Sequence, residues 1–225
     1  MTRYRRCGPG SSGVHRRALL QWPAAWCGTA LLGAGSVDNA WAGAQAEEPL
    51  ADSVRTALSA AIASAAPPRP SFGDTESRMA YLRWLRAMSE RLARRISEHS
   101  TRVEFLETLW YESKRAGLEP ELVLGLVQVE SAFRKYAIST VGARGYMQVM
   151  PFWARLIGDG HVAQLFHMQT NLRFGCVILR HYLDVERGDL YMALGRYNGS
   201  RGRDVYPNAV FAARRRWEFD DRRLG

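Results

Sequence analysis

Apolar residues recur at helical spacing through most of the chain beyond residue 51, and strict alternation of apolar and polar positions is scarce. The strongest pattern lies between Pro120 and Phe133. Leu122, Leu126, Val129 and Phe133 share one helical face, while Val123, Val127 and Glu130 form an adjoining row. A helix apolar on two adjoining faces is predicted to be central and buried. Upstream, Val54, Leu58 and Ile62 mark a short helix within 51–65. Met79, Leu82, Met88, Leu92 and Ile96 mark a second from Thr75, and Phe105, Leu109 and Trp110 a third that stops at Gly117. Downstream, Pro151 opens a short helix that Gly158 closes. Thr170 or Asn171 is placed to cap a helix running from 171 to about 186, ended by Gly188. Asp189 then caps the last clear helix, which reaches Tyr197. The predicted fold class is all-α.

Composition divides the chain. Arg3, Arg5, Arg6, Arg16 and Arg17 precede an apolar run from Ala18, and Ala40-Trp41-Ala42 has the small-x-small form of a cleavage site. Residues 1–42 are therefore read as a signal peptide, cleaved after Ala42 or Ala44. A retained anchor is the competing reading, but Trp22-Pro23 and Gly28 interrupt the run, short of the ~18 clean apolar residues of a membrane span. Contact with a membrane is expected only through this transient leader. Residues 43–104 read as an Ala/Pro-rich linker with bracing helices, broken at Pro67-Pro68-Arg69-Pro70. Residues 105–225 hold the remaining pattern.

Charge and cysteines narrow the partners. The whole chain carries +9, and without the leader 26 basic face 21 acidic residues, a net +5. Such a charge suits an anionic polymer, and no helix-turn-helix, zinc or RNA-binding motif accompanies it, so nucleic acid is not expected. The run Arg214-Arg215-Arg216, with Arg222 and Arg223, reads as a solvated basic end. Cys7 and Cys27 leave with the leader, so Cys176 stands alone on the face of Leu172, Leu179 and Tyr182, as a small buried hydrophobe. His161, His167 and His181 lack ligand-spaced partners, so no metal and no cofactor are expected.

Candidate chemistry centres on Glu130. A carboxylate in line with the apolar residues of a buried helix is costly when charged, and desolvation raises its pKa. A carboxylic acid held protonated near neutrality is suited to donate a proton. Ser131 follows directly, then a loop bearing Gly142 and Gly145, then Tyr146-Met147-Gln148-Val149-Met150-Pro151. An acid at a helix end, a glycine-bearing loop and an amide before the next helix describe one wall of a cleft.

Three segments carry a resemblance: Glu130-Ser131, Gly145 to Pro151, and Arg196-Tyr197-Asn198-Gly199, with eighteen positions from Glu130 to Gln148. In order and spacing they resemble the signature motifs of the soluble lytic transglycosylase family, in the goose-type lysozyme-like group. The resemblance covers roughly residues 105–215. It implies a lysozyme-like helical catalytic domain with Glu130 as the catalytic acid. It also implies that Ser131, Gln148, Met150, Tyr197 and Asn198 line the glycan groove, with the Tyr197 hydroxyl reaching the glutamate or the sugar. Tyr146, Arg196 and Gly199-Ser200 depart from the family pattern, which bears on the sugar subsites and leaves the acid untouched.

The implied activity is cleavage of the bond between N-acetylmuramic acid and N-acetylglucosamine without water, leaving a 1,6-anhydro sugar. Between Glu121 and Asp159 the only acidic residue is Glu130. Ordinary glycosidases use two carboxylates, and Asp184, Glu186 or Asp189 are the candidates for a second. The expected partners are peptidoglycan strands, with an envelope or secretion machine as a further one. The expected location is the periplasm or cell wall. A lysozyme-type hydrolase and a non-catalytic glycan-binding module are the alternatives.

Overall fold

The structure, a computed structural model, describes residues 45–63 and 70–220. The predicted signal peptide, the prolines at 67 and 68 and the last five residues lie outside that range. Eight α-helices make up the described residues: α1 Asp52–Ala63, α2 Thr75–Leu92, α3 His99–Arg115, α4 Pro120–Ser131, α5 Pro151–Ile157, α6 Met168–Val185, α7 Leu190–Asn198 and α8 Val205–Arg215. A 3-10 helix, Val162–Phe166, joins α5 to α6. Among the described residues there is no strand, only isolated bridges of Arg144 with Ile138 and with Val149. No helix there is long and apolar enough to cross a membrane.

The centre is α4. Pro120 occupies its first turn, where a missing N–H costs nothing. Leu122, Val123, Leu124, Leu126 and Val127 are all buried, as two apolar faces require. It packs between α3 on one side and α8 on the other, while α6 is flanked by α1, α3 and α7. The close approach of α8 depends on Gly125. A Cβ there would stand 2.6 Å from the Arg214 backbone nitrogen and 3.1 Å from the Val210 carbonyl oxygen.

Four expectations need correction. The helix of Glu130 ends at Ser131, because Ala132 and Phe133 take left-handed backbone (φ 50° and 66°). Phe133 is still buried, its ring 5.9 Å from Phe105 and 5.3 Å from Trp217, so apolar spacing marked its burial but not its backbone. The long helix begins at Met168, not at a Thr170 or Asn171 cap, and Asn171 lies fully buried inside it. In α2, Met79 and Leu82 are each 44% exposed, whereas Tyr81, Trp84, Met88 and Leu92 are buried. The aromatic contacts of Tyr81 with Phe72 and Trp110, at 5.0 and 4.9 Å, set that face. Finally, Asp189–Tyr197 is not the last helix. Tyr206, Val210 and Ala213 make an apolar face on α8, and Arg214 pairs with Glu119 instead of ending a solvated tail.

Other expectations hold. Asp189 caps α7 by accepting from the Met192 N–H at 3.0 Å; Asp74, read from the sequence only as part of a turn, caps α2 in the same way from Ser77 at 2.7 Å. Cys176 is buried and free, and burial pushes its thiol far above the ordinary range.

Candidate active site

Glu130 sits in the last turn of α4, and only 3% of it is exposed. Its Oε1 accepts a hydrogen bond from the hydroxyl of Tyr206 on α8, and its Oε2 is buried with no partner. No ion pair reaches it among the described residues. Desolvation raises the carboxyl from 4.5 to about 8, and the Tyr206 bond, which favours the charged form, opposes that rise. Near neutrality the side chain is therefore an acid. With Oε1 engaged as an acceptor, the proton belongs on Oε2.

The residues of the three motifs meet on one short backbone segment, 145–148. The Gln148 side-chain amide donates to the Gly145 carbonyl at 2.9 Å and to the Ala137 carbonyl at 3.2 Å. The Ser131 hydroxyl donates to the Tyr146 carbonyl at 2.7 Å, and the Tyr197 hydroxyl to the Met147 carbonyl at 2.7 Å. Three successive carbonyls are thus each taken by a side chain from a different motif. Gln148 itself holds a left-handed conformation (φ 48°), a strained backbone that these bonds secure.

A further residue completes the clamp. Asn171 of α6 accepts from the Met147 N–H at 2.8 Å and donates to the carbonyls of Arg144 and Leu165, both at 2.8 Å. The Met147 side chain lies against Gly175, where a Cβ would come within 2.3 Å of its sulfur. Gly145 takes φ 75°, and a Cβ there would collide with Asn171 at 2.4 Å. The loop beside Glu130 is accordingly pinned from α4, α6 and α7 together.

Each expected site residue now has a position. Glu130 is buried and protonatable, as its place in the apolar row predicts. Ser131, Gln148 and Tyr197 are buried and spend their hydrogen bonds on backbone. The Tyr197 hydroxyl in particular is bonded to Met147 and not to the glutamate. Met150 precedes α5 and is half-buried. Asn198 is half-buried at the end of α7, its amide donating to the Ser200 hydroxyl at 2.9 Å while its Oδ1 is buried and unpartnered. The second carboxylates considered from the sequence are committed elsewhere. Asp184 pairs with Arg180, and Asp189 caps α7. Glu186 is held by Arg196 and Arg201, which bring its carboxyl down to about 2. Arg196 also pairs with Glu48.

Two residues escaped the sequence reading, Tyr206 and Asn171. The spacing of Tyr206, Val210 and Ala213 signals a helix face, though Pro207 and the arginines that follow obscure it. No local pattern separates Asn171 from a helix cap.

Residues 108–218 match the family described as the transglycosylase SLT domain. The chain is similar to a transglycosylase of Enterobacteria phage PRD1, 37% identical over 97 residues, covering 43% of this chain and 35% of the phage protein. It is similar to the membrane-bound lytic murein transglycosylase C of Haemophilus ducreyi, 49% identical over 105 residues, covering 40% of this chain and 29% of that protein. The Actinobacillus pleuropneumoniae (strain L20) protein of the same name is 38% identical over 84 residues, which cover 34% of this chain and 23% of the relative. This chain thus spans about a third or less of the length of these relatives. A solved structure, an inactive mutant of lytic transglycosylase Slt from Pseudomonas aeruginosa, aligns with a TM-score of 0.40 at 24% identity, over 65% of this chain and 27% of that one.

Proposed function

We propose that this chain, whose residues 108–218 match the transglycosylase SLT domain, is a peptidoglycan lytic transglycosylase with Glu130 as its single acid and base. The observation that carries the proposal is the setting of Glu130: buried, its carboxyl raised to about 8, bonded through Oε1 to Tyr206 and with Oε2 buried and unpartnered. In the first step Glu130 protonates the glycosidic oxygen between N-acetylmuramic acid and N-acetylglucosamine, and the bond to the muramoyl C1 breaks. In the second, the carboxylate left behind takes the proton of the muramoyl C6 hydroxyl as that oxygen bonds to C1. The proton count of Glu130 is restored, no water is consumed, and the product ends in a 1,6-anhydro sugar. The engagement of Asp184, Glu186 and Asp189 in other contacts supports a mechanism without a second carboxylate.

Ser131, Gln148 and Tyr197 act by fixing the loop at 145–148 beside the acid, whereas Met150 and Asn198, both half-buried, offer atoms to the glycan. The names of the relatives support peptidoglycan as substrate and an envelope location. We assign residues 1–42 to an export signal and 43–104 to a brace for the domain that follows; an envelope or secretion machine is its partner beyond the wall. Mass spectrometry of muropeptides released from purified sacculi tests the reaction. Anhydro-ended products from the wild type, and none from Glu130→Gln, are expected. Reducing-ended products would make it a hydrolase.

A further inference from the structure

Helices α2 and α3 enclose a recess that the mechanism above leaves unused. Its volume is about 580 Å³, within the range of small-ligand sites, and Phe72, Thr75, Arg78, Tyr81, Leu82 and Glu107 form most of its wall. Every residue of that wall precedes residue 108, where the family match begins. One side is aromatic. The Phe72 ring lies 5.0 Å from that of Tyr81 and 5.7 Å from that of Trp110, and the Tyr81 and Trp110 rings lie 4.9 Å apart. Trp84 adds a ring 6.1 Å from Tyr81, and its indole N–H is tied to Glu121 at 3.0 Å. Phe72 is thus backed by a fixed cluster, a platform already ordered before a ligand covers it.

The other side is polar, and its groups are unspent. Arg83 pairs with Glu76 and Arg86 with Glu90, whereas the side chains of Arg78 and Glu107 pair with nothing among the described residues. Asp74, in the same wall, uses its carboxylate on the Ser77 N–H and hydroxyl. The Tyr81 hydroxyl is buried without a hydrogen-bond partner, and the residue is only 7% exposed. Burial first, then the charge of Glu107, hold its phenol above the ordinary range, so carboxylate and hydroxyl share one neighbourhood. A buried hydroxyl without a partner is unfavourable until a ligand supplies one.

The two sides together select the ligand. An apolar molecule would cover Arg78 and Glu107 unpaired, and a simple ion would be repelled by one of them. A pyranose ring meets the whole wall. Its C–H face covers Phe72, while its hydroxyls donate to Glu107 and accept from Arg78, Thr75 and Tyr81. The recess is also separate from the groove of Glu130. Phe105 of α3 packs on Tyr146 of the pinned loop, ring centres 4.8 Å apart. Glu107 lies two positions on, about 200° round the helix, and so faces away from that loop.

We propose that this recess is a second saccharide site, which holds one sugar chain of a network while Glu130 acts on another. That role rests on the reading of the substrate as peptidoglycan; the binding itself does not. A first attachment makes the second an intramolecular event, so the site favours cross-linked, insoluble glycan over short free strands.

The test is titration of the Glu130→Gln protein with the neutral tetramer of N-acetylglucosamine, followed by NMR. The indole N–H signal of Trp110, whose ring lies beside Phe72 and Tyr81, reports on the recess, and the backbone signals of residues 145–148 report on the groove. Both should move, each with its own dissociation constant. At saturation, sugar-ring protons should show NOE contacts with the Phe72 ring. Arg78→Ala with Glu107→Gln should weaken the affinity read at Trp110 about tenfold relative to that read at 145–148, the size of two lost hydrogen bonds. Both side chains lie outside the core, and an unchanged unfolding midpoint checks the fold. The NOE contacts need no substitution in the recess, so they decide the matter whatever the double variant does to stability. Movement confined to 145–148, a Trp110 response that the double variant leaves as it was, or no contact between sugar and Phe72 overturns the second site. Failure of the proposed reaction shows separately, as sacculi that yield no anhydro product with the wild type.

Discussion

At the scale of single residues, the proposed role of Glu130 as the acid ties rate and stability to one protonation. The first step needs the acid form, so turnover should fall as pH rises through about 8. Tyr206→Phe removes the one hydrogen bond that favours the carboxylate, so the pKa rises further and the alkaline limb of the pH–kcat profile should move upward. The same variant should lower kcat, because the carboxyl loses the contact that orients it. A limb that stays in place would show that another group controls it. The stability argument runs through the same pKa. Below its ordinary value of 4.5, Glu130 is protonated in the folded and the unfolded chain alike. Between 4.5 and about 8 the unfolded chain releases a proton that the folded one keeps, so this group's contribution to stability is lost across that window as pH rises. Glu130→Gln abolishes the titration. Its melting temperature should therefore exceed the wild type's by a margin that grows from pH 5 to pH 8 and then levels off.

At the scale of elements, the site is an agreement among helices, and this is where the sequence was legible only in part. The acid could be found because its helix is apolar on two faces, and one polar residue in such a row stands out. The ends of helices were harder. Phe133 keeps apolar spacing after the backbone has turned left-handed at Ala132, and spacing alone does not register that turn. Helix α8 was missed because Pro207 and three consecutive arginines resemble the end of a domain, and its partner α4 lies about eighty positions earlier. Gly125 is the joint between them. Gly125→Ala places a methyl 2.6 Å from the Arg214 backbone, which no side-chain rotation relieves, so α8 must shift and draw Tyr206 from Glu130. Overpacking of this kind costs about 1–3 kcal/mol. Calorimetry should show that loss even though alanine is the better helix former, and turnover should fall further than the unfolded fraction accounts for. Asn171→Ala leaves the Met147 N–H and the Leu165 carbonyl without their side-chain partner in a buried place, whereas the Arg144 carbonyl keeps the Val149 N–H. Each such group costs ~1–3 kcal/mol, with incomplete additivity. Asn171→Asp keeps the acceptor and loses both donors, so its melting temperature should lie between those of Asn171→Ala and the wild type only if Met147 is the dominant contact.

At the scale of the whole molecule, the family match begins at residue 108, yet the packing reaches back to residue 45. Trp153 of α5 donates its indole N–H to Gln45 at 2.9 Å, and Arg196 of α7 pairs with Glu48 at 2.8 Å. The end of α1 is held by Arg115, which donates to the Ala61 carbonyl, and by Arg173, which donates to that of Ile62 at 3.3 Å. Both guanidiniums lean on Glu112, a fully buried carboxylate at 3.2 and 2.9 Å from them. The Ala-rich stretch before Pro67 offered the sequence reading only Val54, Leu58 and Ile62 to bury, because its anchors are polar and their partners distant in the chain. Two cations at a helix C-terminus satisfy carbonyls that α1 would otherwise leave open. A chain starting at residue 70 removes those acceptors and the Gln45 and Glu48 contacts together, while Glu112 still neutralises both arginines. It should fold with a lower melting temperature and keep Glu130 and Tyr206 in place. Glu112→Ala has the opposite character. It strands two buried or half-buried cations inside an otherwise complete protein, which costs about 3–5 kcal/mol. Chemical denaturation should rank the truncation as the milder change. The reverse order would mean that residues 45–63 form part of the catalytic fold itself and are more than a brace upon it.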